Sequence, residues 1–176
     1  MKQNLPLWQF AGFAFTGIFG TILHFLYDWT NKSILIAPFS GVNESTWEHM
    51  KLLYFPLLVF ALFQSRNFRE YANFWCVKLA GIMTGLCLIP MLFYTYNGAV
   101  GKSPDWLNIT IFFISAAIAF YLETRLFNNC YIECKKPKLA FFVICAIGIL
   151  FILFTFFTPK IPLFQDPISG TYGIQN

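Results

Sequence analysis

The residues with chemistry to offer are two histidines and a few carboxylates. They are His24, Asp28 and the string Asn43-Glu44-Ser45-Thr46-Trp47-Glu48-His49. Imidazoles with carboxylates are a common zinc ligand set, and a site that keeps one position open turns bound water into a nucleophile near neutral pH. In that reading His24, Asp28, Glu48 and His49 are the candidate metal ligands, with Glu48 either a ligand or a general base. The same groups can instead hydrogen-bond one another, each carboxylate orienting an imidazole, or line the polar mouth of a path for a cation or small solute. A ligand-binding network, a metal or acid–base enzyme and a transport path are therefore all open.

The elements that must position these groups are apolar. The chain has 176 residues, 57% of them hydrophobic and 11% charged, with 23 phenylalanines. Soluble domains carry about 25% charged residues, so this composition predicts an all-α polytopic membrane protein whose partner is the lipid bilayer. Five segments approach the roughly 20 apolar residues that a span requires: about 7–27, 46–64, 71–94, 106–127 and 139–157, followed by a tail, 158–176. The first runs into His24 and Asp28 without a small-residue cleavage pattern, so it reads as a helix and not as a signal peptide. The net charge of +4 is spread through short loops and gives no nucleic-acid signal. The five cysteines suggest no disulfide framework. Cys130 and Cys134 read as ordinary free thiols.

Lysine and arginine set the orientation. Lys2, Arg66, Arg69, Arg125, Lys135, Lys136 and Lys138 fall at one set of helix ends, and Lys32, Lys102 and Lys160 at the other. This bias predicts an inside N-terminus and an outside C-terminus. It puts Asp28, Glu44, Glu48, Asp105, Asp166 and both histidines at the outer side.

Helical geometry refines the cluster. At about 100° per residue, Gly17, Gly20, His24 and Asp28 share one face, and its glycines invite a close neighbour. Glu44, Glu48 and Lys51 share a face of the second helix, with His49 about 100° from Glu48. Part of the motif has a structural explanation: Asn43 as helix N-cap, Glu44 in the first turn, Glu48–Lys51 as a surface pair and Trp47 as an interface anchor. His24, Asp28, Glu48 and His49 still require partners at membrane depth. Pro56 removes a backbone hydrogen bond and predicts a kink in the second helix. At the inner side, Lys78 and Glu123 lie at matching depth and predict an ion pair, near a close helix contact at Gly81 and Gly85. The tail carries Leu163, Phe164, Ile168 and Tyr172, which predicts that it folds over the outer cluster and brings Asp166 or Tyr172 to it.

Asn43 to His49, followed by Lys51-Leu52 and Pro56, resembles the hallmark of a family of small bacterial multipass membrane proteins described only as a domain of unknown function. The region of His24 to Tyr27 and the closing Asp166-Pro167, Gly170 and Tyr172-Gly173 pattern extend the resemblance nearly end to end. It implies a bacterial inner-membrane location and no particular chemistry. The leading expectation is thus an outward-facing site between helices one and two. Its ligand-binding residues are His24, Asp28, Asn43, Glu44, Glu48, His49, Asp166 and Tyr172, and it takes a cation such as zinc or a small polar ligand. A metal-dependent hydrolase acting at the outer leaflet is the enzyme alternative. A transporter with Lys78 and Glu123 as inner gate is the third. The glycine stripes leave self-association into a homo-oligomer open.

Overall fold

The computed structural model describes residues 4–101, 104–128 and 133–174; Lys2, Lys102 and Cys130 lie outside them, as does the side chain of Asp105. The described residues form five α-helices: α1 (Leu5–Trp29), α2 (Thr46–Asn67), α3 (Phe74–Val100), α4 (Asp105–Asn128) and α5 (Pro137–Phe156). A short 3-10 turn, Pro162–Phe164, follows. The helices outrun most of the apolar segments that announce them. The largest difference is in α3, which continues to Val100 where Asn97-Gly98 reads as a loop. Asn97 donates from its side chain to Phe93 O at 2.8 Å, and the helix stops only at Gly101, whose φ is 100°.

Four helices, α1, α3, α4 and α5, are long and apolar enough to cross a membrane. α2 is not among them, because Glu48, Lys51, Gln64 and Arg66 dilute its apolar run. α2 is nevertheless the hub. It packs against α1, α3, α4 and α5, and its Leu52, Leu53, Tyr54, Leu57 and Ala61 are almost fully buried. The other helices form an arc around it in the spatial order α1, α4, α3, α5. Pro56 does not interrupt α2.

Small residues set the spacing. A Cβ on Gly20 would stand 2.5 Å from the Phe112 ring and 3.2 Å from Leu52 O, and one on Gly17 2.8 Å from Phe113. The α1 glycine face thus receives α4 rings and the α2 backbone. Tyr54 of α2 sits on Gly148 of α5 and donates its hydroxyl to Ile144 O at 2.6 Å.

Lys78 and Glu123 are paired at 2.6 Å, both almost wholly buried, and Gln9 of α1 donates to the same carboxylate oxygen at 3.2 Å. Phe60, Phe74, Phe120 and Phe127 surround the ammonium at 5.5–6.0 Å from their centroids. Rings at that distance add cation–π attraction where water is excluded. Gly81 leaves the space that the Glu123 side chain fills.

One expectation is overturned nearby. Cys134 is not a free thiol but is disulfide-bonded to Cys76, with the Cα atoms 6.0 Å apart. The partner sits inside an apolar segment 58 residues away, so no cysteine spacing announces it.

Candidate metal centre

The C-terminal turn of α1, the N-terminus of α2 and the chain between them meet at one end of the bundle. Two left-handed residues, Asn31 and Lys32 (φ 52° and 58°), end α1 and turn the chain back. The connector then grips the turn that carries His24. The Ser40 hydroxyl accepts from Tyr27 N at 2.9 Å and donates to Leu23 O, and Gly41 N donates to Leu23 O as well.

α2 starts at Thr46, so its N-cap is Ser45 and not Asn43; the Ser45 hydroxyl accepts from Glu48 N at 3.4 Å. Asn43 makes an Asx turn instead, accepting from Ser45 N at 2.9 Å, and donates to Gly173 O in the tail at 3.0 Å. Glu44 therefore lies outside the helix, free of its first turn, and its carboxylate reaches between the two imidazoles. His24 Nε2 stands 3.6 Å from Glu44 Oε1, and His49 Nε2 stands 3.6 Å from Glu44 Oε2. The ligand atoms of all three residues lie within 4.8 Å of one another. Ligand atoms about 2.1 Å from a tetrahedral zinc are roughly 3.4 Å apart, so each imidazole lies close to that spacing from a Glu44 oxygen, and the three ligand atoms, within 4.8 Å of one another, would draw together around an ion.

The protonation pattern favours a cation. His49 Nδ1 lies 3.0 Å from Ser45 O, and a carbonyl can only accept, so Nδ1 carries a proton. In a neutral ring, Nε2 then presents a lone pair to the Glu44 carboxylate. Two acceptors facing each other are reconciled by a second ring proton, by a water that donates to both, or by a positive ion between them. A metal-ligating histidine commonly donates its other N–H to a backbone carbonyl in this way.

The other expected ligands lie elsewhere. Asp28 is exposed on the last turn of α1 and outside the cluster. Glu48 is 3% exposed and faces Lys51 at 2.6 Å, with Val42 N donating to the same oxygen at 3.1 Å. The Glu48–Lys51 pair is thus no surface pair. Lys51 also donates to Ala37 O at 2.8 Å and Thr155 Oγ1 at 3.1 Å, tying the connector and α5 to α2. Trp47 is no interface anchor: its ring packs on Phe151, Phe154 and Phe164 at 4.5–5.6 Å. Asp166 turns inward on the tail itself, its Oδ1 accepting from Ile168 N at 2.7 Å and Ser169 N at 3.2 Å. Tyr172 pairs with Gln165 across an isolated β-bridge. The tail reaches the site through Ile168.

Ser40, Ala37 and Thr155 are residues the sequence reading passes over. For Ala37 and Thr155, the charge of Lys51, which demands acceptors once buried, is the signal that such partners exist.

A cavity of about 290 Å³ opens beside the cluster. It is lined by residues of α1 (Gly20, Thr21, His24, Phe25), α4 (Asn108, Ile109, Phe112, Phe113) and α2 (His49, Leu52), with Glu44 and Ile168.

Residues 1–174 match the family model described as "Family of unknown function (DUF6512)". No curated protein and no solved structure matches the chain.

Proposed function

The chain belongs to the DUF6512 family, whose description assigns no activity, and we propose from the site alone that it is an integral membrane protein binding a divalent cation, zinc by its donor set, through His24, Glu44 and His49. The observation that carries this is the His49 ring. Its Nδ1–H is held by Ser45 O, and its Nε2 faces a carboxylate 3.6 Å away that two imidazoles share. In this reading the protein sits in the bacterial plasma membrane with five spans. α2 is the fifth because Glu48, Lys51 and Gln64, the polar residues along its length, are buried in the bundle, and Arg66 lies in its last turn. The excess of Arg and Lys at the opposite end supports an outward-facing site.

Two imidazoles and one carboxylate leave a coordination position open, the arrangement of catalytic rather than closed structural zinc sites. All three side chains line the cavity, which favours, as second reading, a metal-dependent hydrolase. Zinc held there would supply a nucleophilic water near neutral pH. Glu48 is not the base in that reading, because Lys51 and Val42 N already occupy its carboxylate.

Elemental analysis of the purified protein, with His49→Ala and Glu44→Gln beside it, tests the proposal. About one zinc per chain is expected, lost in both variants while thermal unfolding stays cooperative. Protein exposed to zinc and washed that carries none would overturn it.

A further inference from the structure

We infer that the cavity beside His24, Glu44 and His49 seats the chain of a membrane amphiphile, with an anionic head directed at the metal. The inference rests on the metal reading above and extends it to a ligand class.

Three observations carry it. First, the lining is of two kinds: His24, Glu44 and His49 cluster together, while Leu52, Phe112 and Phe113 are apolar. At about 290 Å³ it stands at the lower limit of small-ligand pockets. A small hydrated ligand would leave the apolar lining unused, whereas a hydrocarbon chain covers it. Second, part of the lining lies on the outside of the bundle. Phe25, Ile109 and Ile168 line the cavity and yet are 45%, 58% and 65% exposed. α1 and α4, which supply most of the lining, are both apolar enough to cross a membrane. An opening between them with such a lining faces hydrocarbon, so lipid is the neighbour with direct access. Third, charge selects the head. Glu44 disfavours an anion while the site is empty; a divalent ion between Glu44 and the imidazoles reverses that sign and supplies a position for an anionic oxygen. Binding of the chain is therefore metal-dependent.

The probe is a diazirine analogue of palmitic acid, photo-crosslinked to the intact protein in phosphatidylcholine nanodiscs with zinc or with EDTA. The matching fatty alcohol serves as the uncharged control. With zinc, the acid is expected to label the cavity stretches of α1 and α4 and to be displaced by unlabelled palmitate. EDTA should abolish that labelling, and the alcohol should give none above background. Thr21→Trp and Ile109→Trp, both filling the cavity from exposed positions, should lose the labelling while keeping zinc. Protein that holds zinc but labels evenly over its apolar surface, with or without EDTA, overturns the lipid inference and leaves the metal reading standing. Failure to take up zinc overturns both.

Discussion

His49 Nε2 and Glu44 Oε2 face each other at 3.6 Å while the opposite nitrogen of the same ring is held by Ser45 O at 3.0 Å. The separation is too long for a direct hydrogen bond and suits an ion between them. Glu44 can occupy this place because it precedes the helix. Asn43 and Ser45 build the turn that lifts it toward α1, and Ser40 fixes the turn of α1 that carries His24. Within the NESTWEH string, two residues would bind metal and the others hold them in position.

Zinc retention should fall as pH falls, because protons compete for the imidazoles and the carboxylate that bind it. Equilibrium dialysis against zinc at pH 8 and pH 5 checks this. Equal occupancy at both would mean that histidine is not ligating.

Glu48→Gln and Lys51→Met separate structure from metal binding. Each leaves a buried partner uncompensated: Lys51 is 0% and Glu48 3% exposed. Removing one member of a buried pair costs about 3–5 kcal/mol. The expected result is a marked drop in unfolding temperature with zinc content retained in the molecules that stay folded. Loss of zinc from folded Glu48→Gln would return Glu48 to the ligand set.

Lys78→Met should be similarly destabilising, by about 3–5 kcal/mol, because it leaves buried Glu123 without its countercharge and with only the Gln9 amide as partner. The double variant Lys78→Met/Glu123→Gln should recover much of that loss, since two neutral side chains carry no uncompensated charge. Thermal unfolding of the two variants in one detergent tests the order. A double variant less stable than the single would argue that the ion pair stabilises beyond its own cancellation.

The Cys76–Cys134 bond lies at the end rich in Arg66, Arg69, Arg125 and Lys135. In the orientation proposed from the charge bias that end would face the cytoplasm, where disulfides rarely persist. If that orientation holds, the bond seen between Cys76 and Cys134 is the oxidised state of the pair, and in growing cells the same pair should be held reduced. Alkylation of intact cells with a permeant maleimide, before lysis, should modify both. A pair found already bonded would reverse the orientation argued here. Oxidation should also stabilise the fold, by less than the roughly 4 kcal/mol that closing such a loop implies for a soluble chain, because bilayer spans already restrict the unfolded state.

The helical class and the Lys78–Glu123 pair are legible in the sequence, because each follows from hydropathy or from the need to partner a buried charge. The tail sequence predicts that Asp166 or Tyr172 reaches the cluster, and both instead make contacts within the tail. Glu44 as the shared carboxylate is not. A helical wheel drawn from residue 44 makes Glu44 a dipole companion and Glu48 a ligand; the helix begins two residues later, and that shift exchanges their roles. Asp28 shares a face with His24 on the wheel but lies a turn beyond the cluster, at the exposed end of α1. Thr155 was hidden in the most apolar helix, where only Lys51 gives it a purpose.

The tail gives the last test. Phe164 stacks on Trp47 at 4.5 Å, Gly173 O accepts from Asn43 at 3.0 Å, and Ile168 lines the cavity. These contacts hold the same turn that presents Glu44. Gly173 (φ 66°) lies so close to Thr158 that a Cβ there would stand 2.5 Å from its hydroxyl. Ending the chain before Pro159 should therefore loosen Asn43 and Trp47, lowering both the unfolding temperature and zinc affinity while the helix content stays. Gly173→Val should produce a milder form of the same defect, through clash and left-handed strain together. Circular dichroism and zinc titration on both variants decide it. Unchanged affinity in the truncated chain would show that the connector alone positions Glu44.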